Sequence, residues 1–224
     1  MSTPRHTARL AATRAALDRS ARAGPRVGDA ASGGGIDLVA IGASAGGVEA
    51  VGKVLAGLRP DFPAAVAVVL HVPPDRPSLL ADLFAERCAL DVKEADDKEP
   101  IVSGTVYIAP PNYHLLVEPD ASFSLSVEDA VLYSRPSIDL LFETAAYAYG
   151  ERMVGVVMTG ASSDGAAGLK RVRAQGGRAW VQNPMTARSA TMPRAALETA
   201  GADRILDLDD LAIAVADVRG STTT

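Results

Sequence analysis

Disulfide chemistry is excluded at the outset: the chain has one cysteine, Cys88, so no bridge can form within it. A lone thiol suits a reducing compartment such as the cytoplasm, and Cys88 reads as a small core residue. The three histidines, His6, His71 and His114, lie far apart and lack ligand-type spacing, so with one cysteine a dedicated zinc site is not expected. No cofactor is expected either, since Gly42 to Gly47 lacks the G-x-G-x-x-G of a dinucleotide loop. No apolar run approaches the roughly 18–20 uncharged residues that span a bilayer, and the N-terminus lacks the apolar stretch of a secretory signal. Membrane insertion is therefore not expected. Excess basic charge is missing as well. A net charge of −5 argues against general nucleic-acid binding, which needs a basic face.

What charge there is lies unevenly. Residues 1–35 hold six arginines (Arg5, Arg9, Arg14, Arg19, Arg22, Arg26) against Asp18 and Asp29, a net of +4, which leaves −9 for the rest. Residues 7–22 favour helix but offer only Leu10 and Leu17 for burial. They read as a solvated helix, with a docking helix or an organellar transit peptide as further readings. The linker ASGGG (31–35) separates this tail from a single domain expected over 36–218, followed by a disordered C-terminus at 219–224.

From Ile36 onward, short apolar runs alternate with amphipathic stretches. That rhythm predicts a doubly wound, mostly parallel α/β fold with helices on both faces. Strands are expected at 36–41, 64–71, 153–159 and 178–182. Helices are expected near 48–58, 77–87, 138–149, 165–175, 193–200 and 208–217. Segments 105–109, 114–118 and 122–127 read as a short antiparallel section.

In such a sheet, ligands gather at the carboxyl ends of the strands. Three of those ends carry polar or glycine-rich residues: Gly42 to Gly47 with Ser44 at its centre, His71, and Gly160 to Gly165 with Asp164. Serine, histidine and aspartate together can activate a hydroxyl, since one takes its proton and another orients the resulting imidazolium. Gly42-Ala43-Ser44-Ala45-Gly46 also fits G-x-S-x-G, the elbow that exposes a nucleophile on a tight strand-to-helix turn. Gly42, Gly46 and Gly47 would give that turn its freedom. Blander readings stand beside each residue: a phosphate-binding turn for the glycines, a partly buried histidine for His71, and an N-cap of helix 165–175 for Asp164. The order Ser, His, Asp is not that of α/β-hydrolases.

The segments IGASAGGVEAV, LHVPP, GTVYIAPPNYHLLVE, SRPSIDLLFETAA, GVVMTGASSDGAAGLK and QNPMTARSATMPRAA together resemble the catalytic domain of the CheB family of chemoreceptor protein-glutamate methylesterases. The likeness runs from about Ile36 to about Val215. It implies hydrolysis of glutamate γ-methyl esters on methylated chemoreceptor segments, with glutamine deamidation in some members, and Ser44, His71 and Asp164 as nucleophile, base and carboxylate. It places backbone oxyanion donors near Ala45 and Ala161. A catalytically silent receptor- or partner-binding module of the same fold is the alternative. Many members carry methionine and Gly-Asn where this chain has Ala161, Ser162 and Ser163. Family enzymes often bear an N-terminal receiver domain; only 35 residues precede this domain, so a stand-alone cytoplasmic form, constitutive or controlled by a regulator in trans, is expected. His114 with Tyr113, Arg135 and Met192 are candidates for the substrate groove, and Arg188 would favour an acidic receptor segment.

Overall fold

In the strand Leu38–Ala43 (β1) every residue is buried. Leu38 and Ala40 enter one core while Val39 and Ile41 enter another, as a strand covered on both faces requires. The structure, a computed structural model, describes residues 35–71 and 79–221. The expected arginine-rich helix and most of the linker lie outside those residues, as do positions 77–78 of the expected second helix.

Six further strands join β1 in one parallel sheet: Ala65–Leu70 (β2), Asp91–Glu94 (β3), Thr105–Ile108 (β4), Met153–Val157 (β7), Arg178–Gln182 (β8) and Arg204–Leu206 (β9). Their order is β3-β4-β2-β1-β7-β8-β9. The chain builds outward from β1 through β2, then returns to β7 on its other flank, so the strand order reverses between β1 and β7. A crevice at the carboxyl edge of that reversal is where this class of sheet binds ligands.

Gly47–Ala56 (α1), Leu80–Ala85 (α2) and Leu208–Ala216 (α6) cover one face through Val51, Val54, Leu80, Phe84 and Leu211. Ile138–Tyr149 (α3), Ala166–Ala174 (α4) and Thr191–Ala200 (α5) cover the other through Leu141, Phe142, Leu169, Val172 and Ala196. All twelve residues of α3 are buried. Besides the sheet and α4, it is covered by an antiparallel hairpin of His114–Val117 (β5) and Phe123–Ser126 (β6). Phe123 of that hairpin meets Tyr107 edge-on, with ring centroids 4.9 Å apart.

Two expectations need correcting, and two strands were not expected at all. Segment 105–109 is not antiparallel; β4 pairs in parallel with both β2 and β3, because its apolar alternation faces two cores rather than solvent. The edge strands β3 and β9 carry too little apolar signal to have been foreseen. Residues 219–221, expected to be disordered, pack on the domain: the Arg219 carbonyl accepts the Ile36 N–H at 2.8 Å and Gly220 lies against Pro63; positions 222–224 of that expectation lie outside the described residues. No described helix is long and apolar enough to cross a membrane.

Candidate active site

Parallel register fixes the first two site residues. Ala43 pairs with Leu70, so Ser44 and His71 are the next residues along their strands, and the His71 N–H donates to the Ala43 carbonyl at 3.1 Å. On the other flank the Ser44 N–H donates to the Thr159 carbonyl at 2.9 Å, tying the elbow to the end of β7. Thr159 does more. Its hydroxyl donates to the Ala45 carbonyl (2.8 Å), and its own N–H is held by Gln182 Oε1 (2.8 Å).

The turn itself depends on glycine at two points. Gly46 has φ +80°, and a Cβ there would stand 2.8 Å from Cδ of Arg188, whose stem lies over the elbow. Gly42 leaves room for Ile138, the first residue of α3, to pack directly beneath Ser44's strand.

Asp164 is fully buried and accepts four hydrogen bonds. Oδ1 takes the Ser137 hydroxyl (2.9 Å) and the Asp139 N–H (3.0 Å); Oδ2 takes the Ile138 N–H (2.7 Å) and His71 Nε2–H (2.9 Å). Ser137 is the N-cap of α3, so the carboxylate sits on the positive end of that helix and satisfies its free amides. Capping is thus one of its jobs, but of α3, not of the helix that follows it; Gly165 occupies the N-cap of α4.

Because every partner of Asp164 donates, the His71 proton lies on Nε2 and the Nδ1 lone pair is left to face the cleft. Nδ1 lies 3.4 Å from Ser134 Oγ. The Ser44 hydroxyl has no hydrogen-bond partner among the described residues, and neither do the N–H groups of Ala45 and Ala161.

Asp139 reciprocates the cap. Its Oδ1 accepts the Gly165 N–H (2.9 Å) and the Gly168 N–H (2.7 Å) at the start of α4. Two adjacent helices are therefore each capped by a carboxylate beside the other's N-terminus. Burial, then the neighbouring Asp164 charge, pushes the Asp139 carboxyl up to about 7.

Two clefts open at this edge. One, about 540 Å³, is lined by Ser44, Val48, Leu83, Phe84, Arg87 and Arg188. The other, about 430 Å³, lies on the far side of His71 and is lined by Asn112, Asp129, Tyr133, Ser134 and Arg135.

The groove candidates divide. Arg135 lines the second cleft, its Nη1 donating to the carbonyls of Val127 (2.9 Å) and Glu128 (3.0 Å). His114 does not line it: the ring is fully buried, with Nδ1 accepting the Ser137 N–H (3.1 Å) and Nε2 donating to the Asp129 carbonyl (3.2 Å). Burial holds its pKa below the ordinary value. Met192 is also fully buried, packed where a Cβ on Gly160 would fall, behind the loop that carries Asp164. Both support the site from beneath. Tyr113 is partly exposed, and Arg188 lies at the mouth of the Ser44 cleft. Sequence reasoning missed Ser137, Asp139, Ser134 and Thr159. Ser137 alone had a signal, a serine directly before an apolar helix.

A doubly wound parallel sheet with a half-buried serine on a glycine elbow, and a carboxylate-bound histidine at the end of the neighbouring strand, is the arrangement of a hydrolase-type α/β protein. The chain belongs to the CheB methylesterase family, whose model it matches over residues 39–215. A Leptospira interrogans protein named "Putative protein-glutamate methylesterase/protein-glutamine glutaminase" is 45% identical over 176 residues, covering 79% of this chain and 91% of that one. A Nitratidesulfovibrio vulgaris protein-glutamate methylesterase/protein-glutamine glutaminase is 39% identical over 186 residues, 80% of this chain and 50% of the other. The crystal structure of the Thermotoga maritima CheB methylesterase catalytic domain superposes with a TM-score of 0.78 at 31% identity, covering 81% of this chain and 98% of that domain.

Proposed function

We infer that this protein is a protein-glutamate methylesterase that hydrolyses glutamate γ-methyl esters on cytoplasmic chemoreceptor segments, releasing methanol. The observation that carries this reading is the hydrogen bond from His71 to the buried Asp164, beside the Ser44 elbow, in a chain of this family.

Ser44 Oγ attacks the ester carbonyl as its proton passes to His71 Nδ1. Asp164 keeps the other ring proton on Nε2 and stabilises the imidazolium. The N–H groups of Ala45 and Ala161 receive the developing oxyanion. The tetrahedral adduct collapses, the C–O bond to the methoxy group breaks, and Nδ1–H protonates the leaving oxygen to give methanol. Water, deprotonated by the same nitrogen, then attacks the glutamyl-Ser44 ester and restores the free serine and a glutamate carboxylate.

Methanol release from a chemoreceptor fragment methylated in vitro tests the reading. Ser44→Ala should lower the rate by at least about 10³-fold; release at the wild-type rate would overturn it. The names of both relatives include glutaminase. The same acyl-enzyme chemistry on a glutamine would give ammonia, so ammonia release from an unmethylated fragment tests that second activity.

A further inference from the structure

Beside His71 the chain makes a tight reversal. Val131 and Ser134 exchange N–H to carbonyl bonds of 3.0 and 2.8 Å across the two residues Leu132 and Tyr133. Both central residues have positive φ, +48° and +65°. That is the two-residue hairpin turn that Asn-Gly adopts readily and bulky side chains resist. Strain at this place is compensated by nothing in the core, since Tyr133 is 98% exposed and Leu132 48% exposed. Val127, at the foot of the same loop, is 69% exposed.

The reversal is anchored at both feet to the site. Ser134 Oγ lies 3.4 Å from His71 Nδ1, and the Asp129 carbonyl receives His114 Nε2–H. Arg135 holds the backbone of residues 127 and 128. The backbone that carries the exposed ring is therefore fixed at the rim of the cleft that contains His71. An exposed aromatic side chain, with only two rotatable bonds to order, is what recognition surfaces use as an anchor. A methyl ester on one side chain is too small to fill the cleft and reach the rim together. The polypeptide that carries it is not.

We propose that the Leu132–Tyr133 turn reads the polypeptide bearing the ester, with Tyr133 as its contact side chain, and so sets the preference for protein over small esters. The proposal rests on the esterase reading above. The turn is a specificity element; it takes no part in proton transfer.

Steady-state kinetics on two substrates test it: a methylated chemoreceptor cytoplasmic fragment, and N-acetyl-glutamate γ-methyl ester α-amide. In Tyr133→Ala and in the double variant L132N/Y133G, kcat/KM for the fragment relative to the small ester should fall at least fivefold, through KM. Tyr133→Phe should keep the wild-type ratio. The double variant should also melt above wild type, because Asn-Gly suits the turn, which separates a lost contact from a lost fold. A wild-type ratio in the double variant would overturn the proposal. A fall in kcat on both substrates, or dimeric wild type that becomes monomeric on Tyr133→Ala, would overturn it equally. If wild type releases methanol from neither ester, it is the esterase reading that fails. Anisotropy of the labelled fragment with wild type and the double variant then decides the turn alone, with equal affinity counting against it.

Discussion

Replacing Asp139 by asparagine should flatten the dependence of stability on pH between about pH 4 and about pH 7. Asp139 is only 6% exposed, and both of its amide donors, Gly165 and Gly168, bind the same oxygen, Oδ1. An asparagine in the same rotamer keeps that oxygen and both bonds while losing the charge. The native carboxyl titrates near 7, raised by burial and by Asp164, whereas the unfolded one titrates near the ordinary 3.8. In that window the folded protein holds a proton that the unfolded chain has released. Stability from this group is therefore full below about pH 4 and declines as pH rises to about 7. Each unit of difference corresponds to about 1.4 kcal/mol, so the whole window represents up to about 4 kcal/mol. Removing the charge also removes repulsion against Asp164. Asp139→Asn should accordingly match wild type near pH 4 and exceed it by about 2–4 kcal/mol near pH 8. Urea denaturation followed by Trp180, a buried lone tryptophan, gives both curves. Other groups titrate in both proteins, so the difference isolates Asp139. A difference that does not change with pH would refute the reasoning. Asp139→Ala, which strands two buried amides, should be weaker than wild type near pH 4 by about 1–3 kcal/mol per amide, a deficit that shrinks toward pH 8 as the lost charge offsets it.

His114→Gln should act in the opposite sense. The native ring is held neutral by burial, so its contribution is present above about pH 6.5 and lost as pH falls below. Wild-type urea midpoints should drop toward pH 5 more than the variant's; parallel curves would count against it. Asp164→Asn cannot accept from all four of its donors, and kcat for methanol release should fall by a factor on the order of 10³–10⁴. A loss under about tenfold would remove Asp164 from the mechanism. Gly46→Ala forces a Cβ at φ +80° into the Arg188 stem, so stability should fall by about 1–2 kcal/mol. Fluorophosphonate labelling of Ser44 should slow with it, and wild-type labelling would show the elbow to be undisturbed.

Much of the fold was readable in the chain because its central strands are buried on both faces. AVAVVL and MVGVV state this directly, and RAWVQ was delimited to the residue. What escaped was set by tertiary position. DVKE (91–94) becomes a strand only because β4 offers it an edge, and RIL (204–206) only because β8 does. The site divides the same way. Ser44, His71 and Asp164 were candidates because each follows a buried strand whose direction the fold fixes. His114 and Met192 sat in recognisable segments, but nothing local tells a side chain facing the cleft from one packed under it. Asp139 was invisible for a related reason: on a helix buried along its whole length, no periodicity marks an acid that serves a different helix.

The two acids that fasten α3 to α4 make the proposed active residues unequal in what a lineage could lose. The Ser44 hydroxyl has no hydrogen-bond partner among the described residues, so in the proposed mechanism a serine-to-alanine change would silence the enzyme while leaving a sound scaffold. That variant is the natural trap for holding a substrate without consuming it. In the proposed mechanism Asp164 is a hinge pin as well as a reagent, and a chain that drifted toward a purely adhesive life would be expected to shed the serine first and keep the aspartate long afterwards.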